Sequence, residues 1–248
     1  MNLVVVVPTF NEVGSLAQLV DCVLTLDIAT LRVRMLVVDD ASTDGTAQLA
    51  DRLATAAPER VEVLHRASKR GLGSAYVDGF GHALAQGVDL IAQMDADLSH
   101  EPSALPSMVE AIRGADLVIG SRYVAGGAFD RHWGWHRKAM SWLANRAVVP
   151  AILSLPVSDA TSGYRLWRRE TLARIAPSVS VRSSGYGFQV EMVFLAHRLG
   201  CTIHEVPIHF HEREAGQSKM TVPVALRAGR EILAISREHR AAARVEQP

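Results

Sequence analysis

The chain has 248 residues, 48% of them hydrophobic, and 26 basic side chains balance 26 acidic ones. This length and apolar content suffice for one substantial core, so we expect a single domain over residues 1–248. A net charge of zero provides no global field toward nucleic acid, which is therefore not expected as a partner. Two cysteines far apart in sequence, Cys22 and Cys201, cannot form a disulfide framework and are typical of the reducing cytoplasm.

The first half of the chain alternates β-branched runs with amphipathic segments. The first run, residues 3–7, follows no positively charged segment and is stopped by Pro8, so it is predicted to be a buried strand and not a signal peptide. Further strands are predicted at residues 33–38, 61–65, 90–94 and 117–119. The alternation indicates an α/β fold with a largely parallel twisted sheet flanked by helices.

The second half is less regular. Residues 123–135 contain Gly126, Gly127 and Gly134, and they are predicted to form a mobile loop suited to a lid. Helices are predicted near residues 137–155 and 187–199, a strand at 202–210, and a C-terminal amphipathic helix at about 222–240. Charges interrupt every long apolar segment, so no stretch approaches the roughly 18 apolar residues that a membrane-spanning helix needs.

Two aspartates follow the fourth predicted strand, at the end where parallel sheets bind ligands. Side chains two residues apart on an extended segment share a face, so Asp95 and Asp97 can both bind one hard divalent cation that also holds diphosphate oxygens. Mg²⁺ and Mn²⁺ both suit such a site. Two nearby aspartates are more often a solvated acidic turn, and it is their place after a buried strand, with the neighbouring motifs, that favours a metal site.

A second acidic segment, residues 39–45, follows the second predicted strand. Helix capping by Thr43 or Asp44 accounts for the later residues, whereas Asp39 and Asp40 at the mouth of the strand can accept hydrogen bonds from a base or ribose. A dinucleotide-binding fold is not favoured, because the first strand is followed by Pro-Thr-Phe-Asn-Glu and not by a glycine-rich turn. No Walker phosphate loop is present.

Short motifs over nearly the whole chain resemble those of the polyprenol-phosphate (dolichyl-phosphate) mannosyltransferases of glycosyltransferase family 2. They lie at residues 7–12, 38–45, 71–76, 94–100, 120–123, 137–138, 161–165, 187–191, 205–208 and 216–219. The early motifs are shared by many family 2 enzymes, whereas those from Gly120 onward are more specific to the polyprenol-phosphate branch. The resemblance implies a GT-A-type nucleotide-sugar-binding fold and an inverting, metal-dependent transfer of mannose from GDP-mannose to the phosphate of a polyprenol.

Carried over by position, the resemblance implies roles for individual residues. Asp95 and Asp97 are metal ligands, and Ser99 stands where some members have a glutamine ligand. Together with Asp39, the nucleotide-sugar contacts are Pro8, Phe10, Glu12, Val38, Asp40, Asp95, Ala96, Asp97, Arg122, Arg213 and Lys219. Phe10 stands where tyrosine is usual, which removes a hydroxyl and keeps a ring. Apart from the resemblance, Arg137 is predicted to hold the acceptor phosphate because it opens the helix after the predicted loop, with Arg122 and Ser141 as further candidates. The catalytic residues are predicted to be Asp95, Asp97, Arg122 and Arg137.

The nature of the acceptor limits the chemistry. A phosphate monoester is anionic near neutral pH and can attack the sugar carbon without a strong protein base, so base roles for Asp39, Asp40 and Glu191 are not favoured. Catalysis is predicted to rest on positioning and charge. A lone arginine is usually a solvated surface charge, but several basic residues beside an expected diphosphate favour bidentate phosphate contacts.

Aromatic and basic residues around the predicted lid suggest a lipid surface. The residues concerned are Trp133, Trp135, Trp142, Arg131, Arg137 and Lys138. Indole rings and cations suit the bilayer interface, although packing in the core or lid accounts for the same pattern. The C-terminal helix is likewise either interfacial or packed on the domain. We expect a peripheral protein on the cytoplasmic face of a membrane, with a separate membrane-anchoring subunit as one route of attachment.

Two other functions stay open at this point. A family 2 transferase could use another donor such as UDP-glucose, or a glycan acceptor, which would need a deprotonating carboxylate. A noncatalytic nucleotide-sugar-binding protein is a second alternative, against which the presence of Asp95, Asp97, Arg122 and Lys219 argues. Activity with polyprenyl phosphate but not with sugars excludes a glycan acceptor, several nucleotide sugars tested side by side identify the donor, and donor binding without turnover would indicate the noncatalytic protein.

Overall fold

A seven-stranded sheet forms the centre of the computed structural model, which describes residues 1–28, 31–131, 134–179, 186–212 and 229–237. Its strands are β1 (Asn2–Thr9), β2 (Arg32–Asp39), β3 (Val61–His65), β4 (Leu90–Gln93), β5 (Leu117–Ser121), β7 (Arg165–Arg168) and β8 (Ile203–Pro207). They lie in the order β3-β2-β1-β4-β7-β5-β8, and all neighbours are parallel except β7, which is antiparallel to β4 and β5. The predicted α/β class is confirmed.

Helices connect the strands and cover both faces of the sheet. They are α1 (Leu16–Leu24), α2 (Thr46–Ala56), α3 (Leu72–Ala85), α4 (Leu105–Ala111), α5 (Trp135–Leu143), α6 (Val149–Leu153), α7 (Arg169–Ile175) and α8 (Tyr186–Arg198). A π-helical segment, Ala144–Val148, joins α5 to α6, so the helix predicted at 137–155 is one helical run. Residues 229–237 are helical, and the remainder of the helix predicted at 222–240 lies outside the described residues.

The central strands are apolar because they are buried on both faces. In β1, Val4 and Val6 pack in the cluster that contains α3 and α8 residues, whereas Leu3, Val5 and Val7 pack in the opposite cluster with α1. This burial accounts for the uninterrupted apolar run at the start of the sequence.

A glycine lets α3 approach the sheet closely. A Cβ atom built on Gly79 would lie 2.5 Å from Cγ1 of Val6 and 2.9 Å from Cγ2 of Val38, so no larger residue fits without movement. The close contact fixes the depth of α3 against β1 and β2. Tyr76, one turn earlier in α3, is thereby buried next to the carboxyl end of β4.

Strand β7 was not predicted from the sequence. It is only four residues long and contains two arginines, so neither length nor alternation marks it. Because β7 runs antiparallel between β4 and β5, its amino-terminal end lies at the carboxyl ends of those strands. The segment that precedes β7, residues 157–164, therefore reaches the edge of the sheet where the predicted site residues lie.

Part of the predicted mobile loop is ordered by pairing. β6 (Ala128–Phe129) pairs in parallel with β9 (His209–Phe210), and the strand predicted at 202–210 is thus divided into β8 and β9. The lid remains a prediction. Within the described part of the chain, no helix has both the length and the apolar content to cross a membrane.

Candidate active site

The loops after β1 and β2 are tied together by hydrogen bonds. The backbone N–H of Asn11 donates to Oγ of Ser42 at 3.0 Å, and the N–H of Thr43 donates to Oδ1 of Asn11 at 2.9 Å. Asn11 and Ala41 both have a positive φ, 59° and 60°, a conformation that non-glycine residues rarely adopt. Such strained residues persist where the surroundings over-determine them, which is common at ligand sites.

Asp40 holds a third loop, residues 66–71, against the loops after β1 and β2. Its buried carboxylate forms an ion pair with Arg66 and accepts the N–H groups of Arg70 and Gly71 at 3.0 and 2.8 Å. Arg66 was not predicted from the sequence. Its nearly buried guanidinium offsets the desolvation cost of burying the Asp40 carboxylate. Asp40 thus orders residues 66–71 at the edge of the sheet.

The remaining residues predicted to contact the nucleotide lie around this edge. Pro8 and Val38 are buried neighbours in the β1–β2 register, and Asp39 accepts the Thr9 hydroxyl at 3.3 Å. The ring of Phe10 is half-buried, with the ammonium of Lys69 lying 3.4 Å from its centroid. The structure therefore brings the predicted contacts of β1 and β2 together at one edge.

Glu12 belongs to the same edge. Its backbone N–H donates to Oγ1 of Thr46, the first residue of α2, at 2.9 Å. Its half-buried side chain carboxylate also lies 3.5 Å from the hydroxyl of Ser15. Glu12 thus sits where the first loop meets the start of α2.

Asp95 and Asp97 follow β4, as predicted. Oδ1 of Asp95 accepts the hydroxyl of Tyr76 at 3.3 Å, and the backbone N–H of Asp95 donates to Nδ1 of His100 at 3.2 Å. Oδ1 of Asp97 accepts the N–H of Ser99 at 3.1 Å and its hydroxyl at 2.6 Å. Burial lowers the pKa of His100, so its ring is neutral at pH 7. Both carboxylates are held in place by protein donors.

The donor set at this position suits Mg²⁺ or Mn²⁺. In proteins Mg²⁺ is commonly held by one or two carboxylates together with substrate phosphates, rather than by a complete protein cage. The described residues contain no group of three or more histidine, cysteine, aspartate or glutamate side chains arranged to hold a metal. Two carboxylates that need a diphosphate to complete the coordination fit that pattern. The hydroxyl oxygen of Ser99 retains lone pairs, and its role as a ligand stays a prediction.

A buried polar layer lies beneath Asp95, between the sheet and helix α8. Nε1 of Trp167 donates to Gln93 at 2.7 Å, and Gln93 donates to Gln189 at 3.2 Å. A Cβ on Gly163 would lie 3.4 Å from both Oδ1 of Asp95 and Nε2 of Gln189. Sequence reasoning missed this layer, because its members come from three distant segments that only the fold brings together.

Arg122 forms an ion pair with Asp159, a residue that was not predicted from the sequence. Its Nε and Nη2 donate to the two carboxylate oxygens of Asp159 at 2.7 and 2.6 Å, and its backbone N–H donates to Asp159 at 3.0 Å. Nη2 also donates to the hydroxyl of Thr161 at 2.8 Å. The Arg122 and Asp159 side chains are 5% and 0% exposed. Glu205 supports the pair by accepting the backbone N–H of Asp159 at 3.0 Å.

Aromatic rings surround the same guanidinium. Its Cζ lies 5.9 Å from the ring centroid of Tyr123, 5.3 Å from that of Phe129 and 5.2 Å from that of Phe210. Phe129 belongs to β6 and Phe210 to β9, so the small two-stranded sheet packs against the Arg122 side chain. Cation–π contacts in a desolvated setting add to the stability of the charge.

Of the other residues predicted to contact phosphate, the structure describes some and not others. Ser141 is buried in α5 and accepts the hydroxyl of Tyr123 at 2.8 Å, which brings it to the Arg122 side of the site. Arg137 lies in the first turns of α5, and its side chain is outside the described part of the structure. Arg213 and Lys219 lie outside the described residues as well. Their roles stay predictions.

Comparison with known proteins agrees with this arrangement of strands and motifs. Residues 4–176 match the sequence model of the family described as glycosyl transferase family 2. The chain belongs to glycosyl transferase family 2. Within that family it is similar to the undecaprenyl-phosphate mannosyltransferase of Micrococcus luteus, with 47% identity over 226 residues, 89% of this chain and 88% of that protein.

A second relative gives the same result. The polyprenol monophosphomannose synthase of Mycolicibacterium smegmatis is 47% identical over 218 residues, which are 88% of this family 2 glycosyltransferase and 80% of the relative. The resemblance inferred from the motifs is confirmed. Among solved structures, glucosyl-3-phosphoglycerate synthase from Mycobacterium tuberculosis, in complex with Mn²⁺, UDP and phosphoglyceric acid, has a TM-score of 0.65 over 94% of this chain and 76% of its own. At 20% identity it shows a shared GT-A fold.

Proposed function

We propose that this family 2 glycosyltransferase transfers mannose from GDP-mannose to the phosphate of a polyprenol and yields polyprenyl-phosphate mannose. The observation that carries the proposal is the 47% identity, over nearly the whole chain, to two enzymes named for mannose transfer to such lipids. The site supports it, because Asp95 and Asp97 lie at the carboxyl end of β4 and a buried Arg122–Asp159 pair lies at the end of β5.

The donor would bind along the edge formed by the loops after β1, β2 and β4. Phe10 offers a ring for the guanine base, and residues 66–71, which Asp40 orders, close the same side. The side chains of Asp95 and Asp97 would meet the diphosphate through a divalent cation. When bound there, the cation would neutralise the charge that develops on the departing diphosphate. Arg213 and Lys219 are proposed as further diphosphate contacts.

The reaction needs no protein base. An anionic oxygen of the acceptor phosphate forms a bond to the anomeric carbon, the bond from that carbon to the diphosphate breaks, and GDP leaves with the electron pair. Asp39 and Asp40 already accept hydrogen bonds from the protein, which is consistent with their holding loops instead of taking a proton. A single displacement inverts the centre and gives a β-linked product from an α-linked donor.

The acceptor phosphate is proposed to contact Arg137 and Ser141 on α5, with Arg122 at the base of the same subsite. The side of α5 away from that subsite is apolar and exposed. Trp135, Trp142 and Leu143 are 80%, 56% and 52% exposed. Large aromatic side chains with one polar edge are favoured at the bilayer interface. We propose that this surface lies on the cytoplasmic face of a membrane, alone or with an anchoring subunit, while the opposite side of α5 holds the lipid phosphate.

The test is transfer by the purified protein with matched substrates. GDP-mannose and UDP-glucose are each supplied with polyprenyl phosphate, with Mg²⁺, with Mn²⁺, or with a chelator. We expect a lipid-extractable, β-linked mannose product that forms from GDP-mannose and disappears with the chelator. Product from UDP-glucose alone would assign a different donor. Donor binding without turnover under all conditions would favour a noncatalytic nucleotide-sugar-binding protein.

A further inference from the structure

The helix that carries Arg137 and Ser141 changes its hydrogen-bonding pattern directly after the proposed subsite. α5 ends at Leu143, and the next five residues, Ala144–Val148, form a π-helical segment before α6 begins. Single π-helical turns are rare, cost stability and occur frequently at functional sites. This one needs a specific cause in the residues around it.

Asn145, the second residue of this segment, makes buried hydrogen bonds that accompany the change. It is 2% exposed, and its Nδ2 donates to the backbone carbonyl of Ser141 at 3.1 Å and to the hydroxyl of Thr161 at 2.9 Å. Its Oδ1 accepts the backbone N–H of Thr161 at 3.3 Å. A carbonyl can only accept and a backbone N–H can only donate, so these partners fix which end of the carboxamide faces which group.

Thr161 continues the connection into the sheet. Its hydroxyl accepts from Nη2 of Arg122 at 2.8 Å and contacts Oδ1 of Asp159 at 3.2 Å. An unbroken series of buried hydrogen bonds therefore runs from the Ser141 carbonyl through Asn145 and Thr161 to the Arg122–Asp159 pair. These links join the helix proposed to hold the acceptor phosphate to the carboxyl end of β5.

We propose that Asn145 is a positioning residue for the acceptor phosphate. Its carboxamide sets the distance between α5 and the Arg122–Asp159 pair, so that Ser141 and Arg137 present the phosphate to the sugar carbon. This inference rests on the proposed function, since it concerns the acceptor side of that reaction. Asn145 does not touch the substrate, and it lies outside every motif that carried the family resemblance.

The geometry predicts that substitution of Asn145 weakens use of the acceptor and leaves binding of the donor unchanged. The donor edge is formed by the loops after β1, β2 and β4, whereas the hydrogen bonds of the Asn145 carboxamide go to Ser141 and Thr161. A displacement of about 1 Å in a positioned group can cost about a hundredfold in rate. Loosening α5 should therefore raise the KM for polyprenyl phosphate and lower kcat, while the Kd for GDP-mannose stays constant.

Two pairs of variants test the links separately. Asn145→Leu removes all three hydrogen bonds at similar volume, whereas Asn145→Ser keeps a hydroxyl that can reach the Ser141 carbonyl and loses both contacts to Thr161. Thr161→Val removes the shared hydroxyl, and Thr161→Ser restores it. Ala147→Ser, at an exposed position of the same π-helical segment, is the matched control.

The experiment measures initial rates with a short-chain polyprenyl phosphate in detergent, GDP-mannose affinity by calorimetry, and thermal unfolding. We expect Asn145→Ser and Thr161→Val to raise the acceptor KM about ten- to a hundredfold, with GDP-mannose Kd within about twofold of wild type. Thr161→Ser should recover most of what Thr161→Val loses, and Ala147→Ser should match wild type. If Asn145→Leu fails to fold, Asn145→Ser, Thr161→Val and Thr161→Ser still test the positioning role.

The outcomes are distinct. A lower unfolding temperature with unchanged acceptor KM in folded variants would overturn the positioning role and leave Asn145 as a purely structural residue. Equal losses for donor and acceptor would also overturn it. If the wild-type protein transfers no sugar to polyprenyl phosphate, the proposed function fails first and this inference falls with it. Transfer by wild type with no effect of the variants rejects the inference alone.

Discussion

At the scale of single residues, burial decides how a substitution at Arg122 is to be understood. The Asp159 carboxylate is fully buried and accepts two guanidinium N–H groups. Breaking a buried pair by removing one partner costs about 3–5 kcal/mol, because the other charge is left uncompensated. A loss of activity in Arg122→Ala would thus combine the loss of the proposed phosphate contact with lost stability.

We predict that Arg122→Ala lowers the free energy of unfolding by about 3–5 kcal/mol, and that Arg122→Met combined with Asp159→Leu recovers a large part of that loss. The two apolar side chains remove both charges together, so no buried charge is left without a partner. Urea denaturation of wild type, Arg122→Met, Asp159→Leu and the double variant measures the coupling. Additive losses, with no recovery in the double variant, would contradict a direct interaction between the two side chains.

Asp97 offers a cleaner substitution because its carboxylate can be replaced by an amide. Asp97→Asn keeps an oxygen that accepts from Ser99 but removes the charge that a divalent cation requires. We predict that kcat falls by about a hundredfold or more, while the unfolding temperature stays close to that of wild type. Initial rates across a Mg²⁺ titration measure the effect. Asp51→Asn, an exposed carboxylate paired with His65, serves as control, and wild-type turnover at saturating metal would argue against the metal assignment.

At the scale of elements, the depth at which α3 packs on the sheet can be tested with two glycines of one helix. Gly79 faces Val6 and Val38, and a Cβ there would approach within 2.5 Å, whereas Gly81 has no atom within 4 Å of its Cβ position. Alanine favours helix over glycine by roughly 1 kcal/mol where space allows.

We therefore predict opposite signs for the same change. Gly79→Ala should destabilise the protein by about 1–3 kcal/mol through overpacking, and Gly81→Ala should stabilise it by about 0.5–1 kcal/mol. Thermal and urea unfolding of the two variants beside wild type provide the comparison. Stabilisation by both substitutions would mean that α3 can shift away from β1 without cost, and Tyr76 would then not be fixed against Asp95.

At the scale of the whole molecule, the proposed attachment to a membrane would depend on one surface and not on overall charge. The formal net charge is zero, and the exposed apolar side chains of α5 form the proposed lipid contact. We predict that the protein sediments with anionic liposomes and that Trp135→Ser combined with Trp142→Ser reduces the bound fraction several-fold.

The control for that experiment is Leu199→Ser, which removes an exposed apolar side chain at the end of α8. It should leave liposome binding unchanged. Equal binding of wild type and the double tryptophan variant would remove α5 as the contact surface. Because detergent replaces the bilayer, the same double variant should keep its rate with a short-chain acceptor in detergent.

The sequence by itself determined the fold class, the first five strands and the positions of the acidic residues at their ends. These features depend on local patterns: a doubly buried strand is an uninterrupted apolar run, and polar residues directly after it mark the edge of the sheet. Asp39, Asp40, Asp95 and Asp97 were found in this way, and the structure places all of them at that edge.

Only the tertiary structure decided the partners of those residues. Asp159, Thr161 and Asn145 are polar residues without periodicity in the sequence. Asp159 and Thr161 meet Arg122 because β7 runs antiparallel and brings the segment before it to the site, and Asn145 joins them from the π-helical segment through Thr161. Hydrogen bonds between residues far apart in sequence leave no local pattern. Which charges are neutralised, and by which neighbour, is therefore a property of the folded chain.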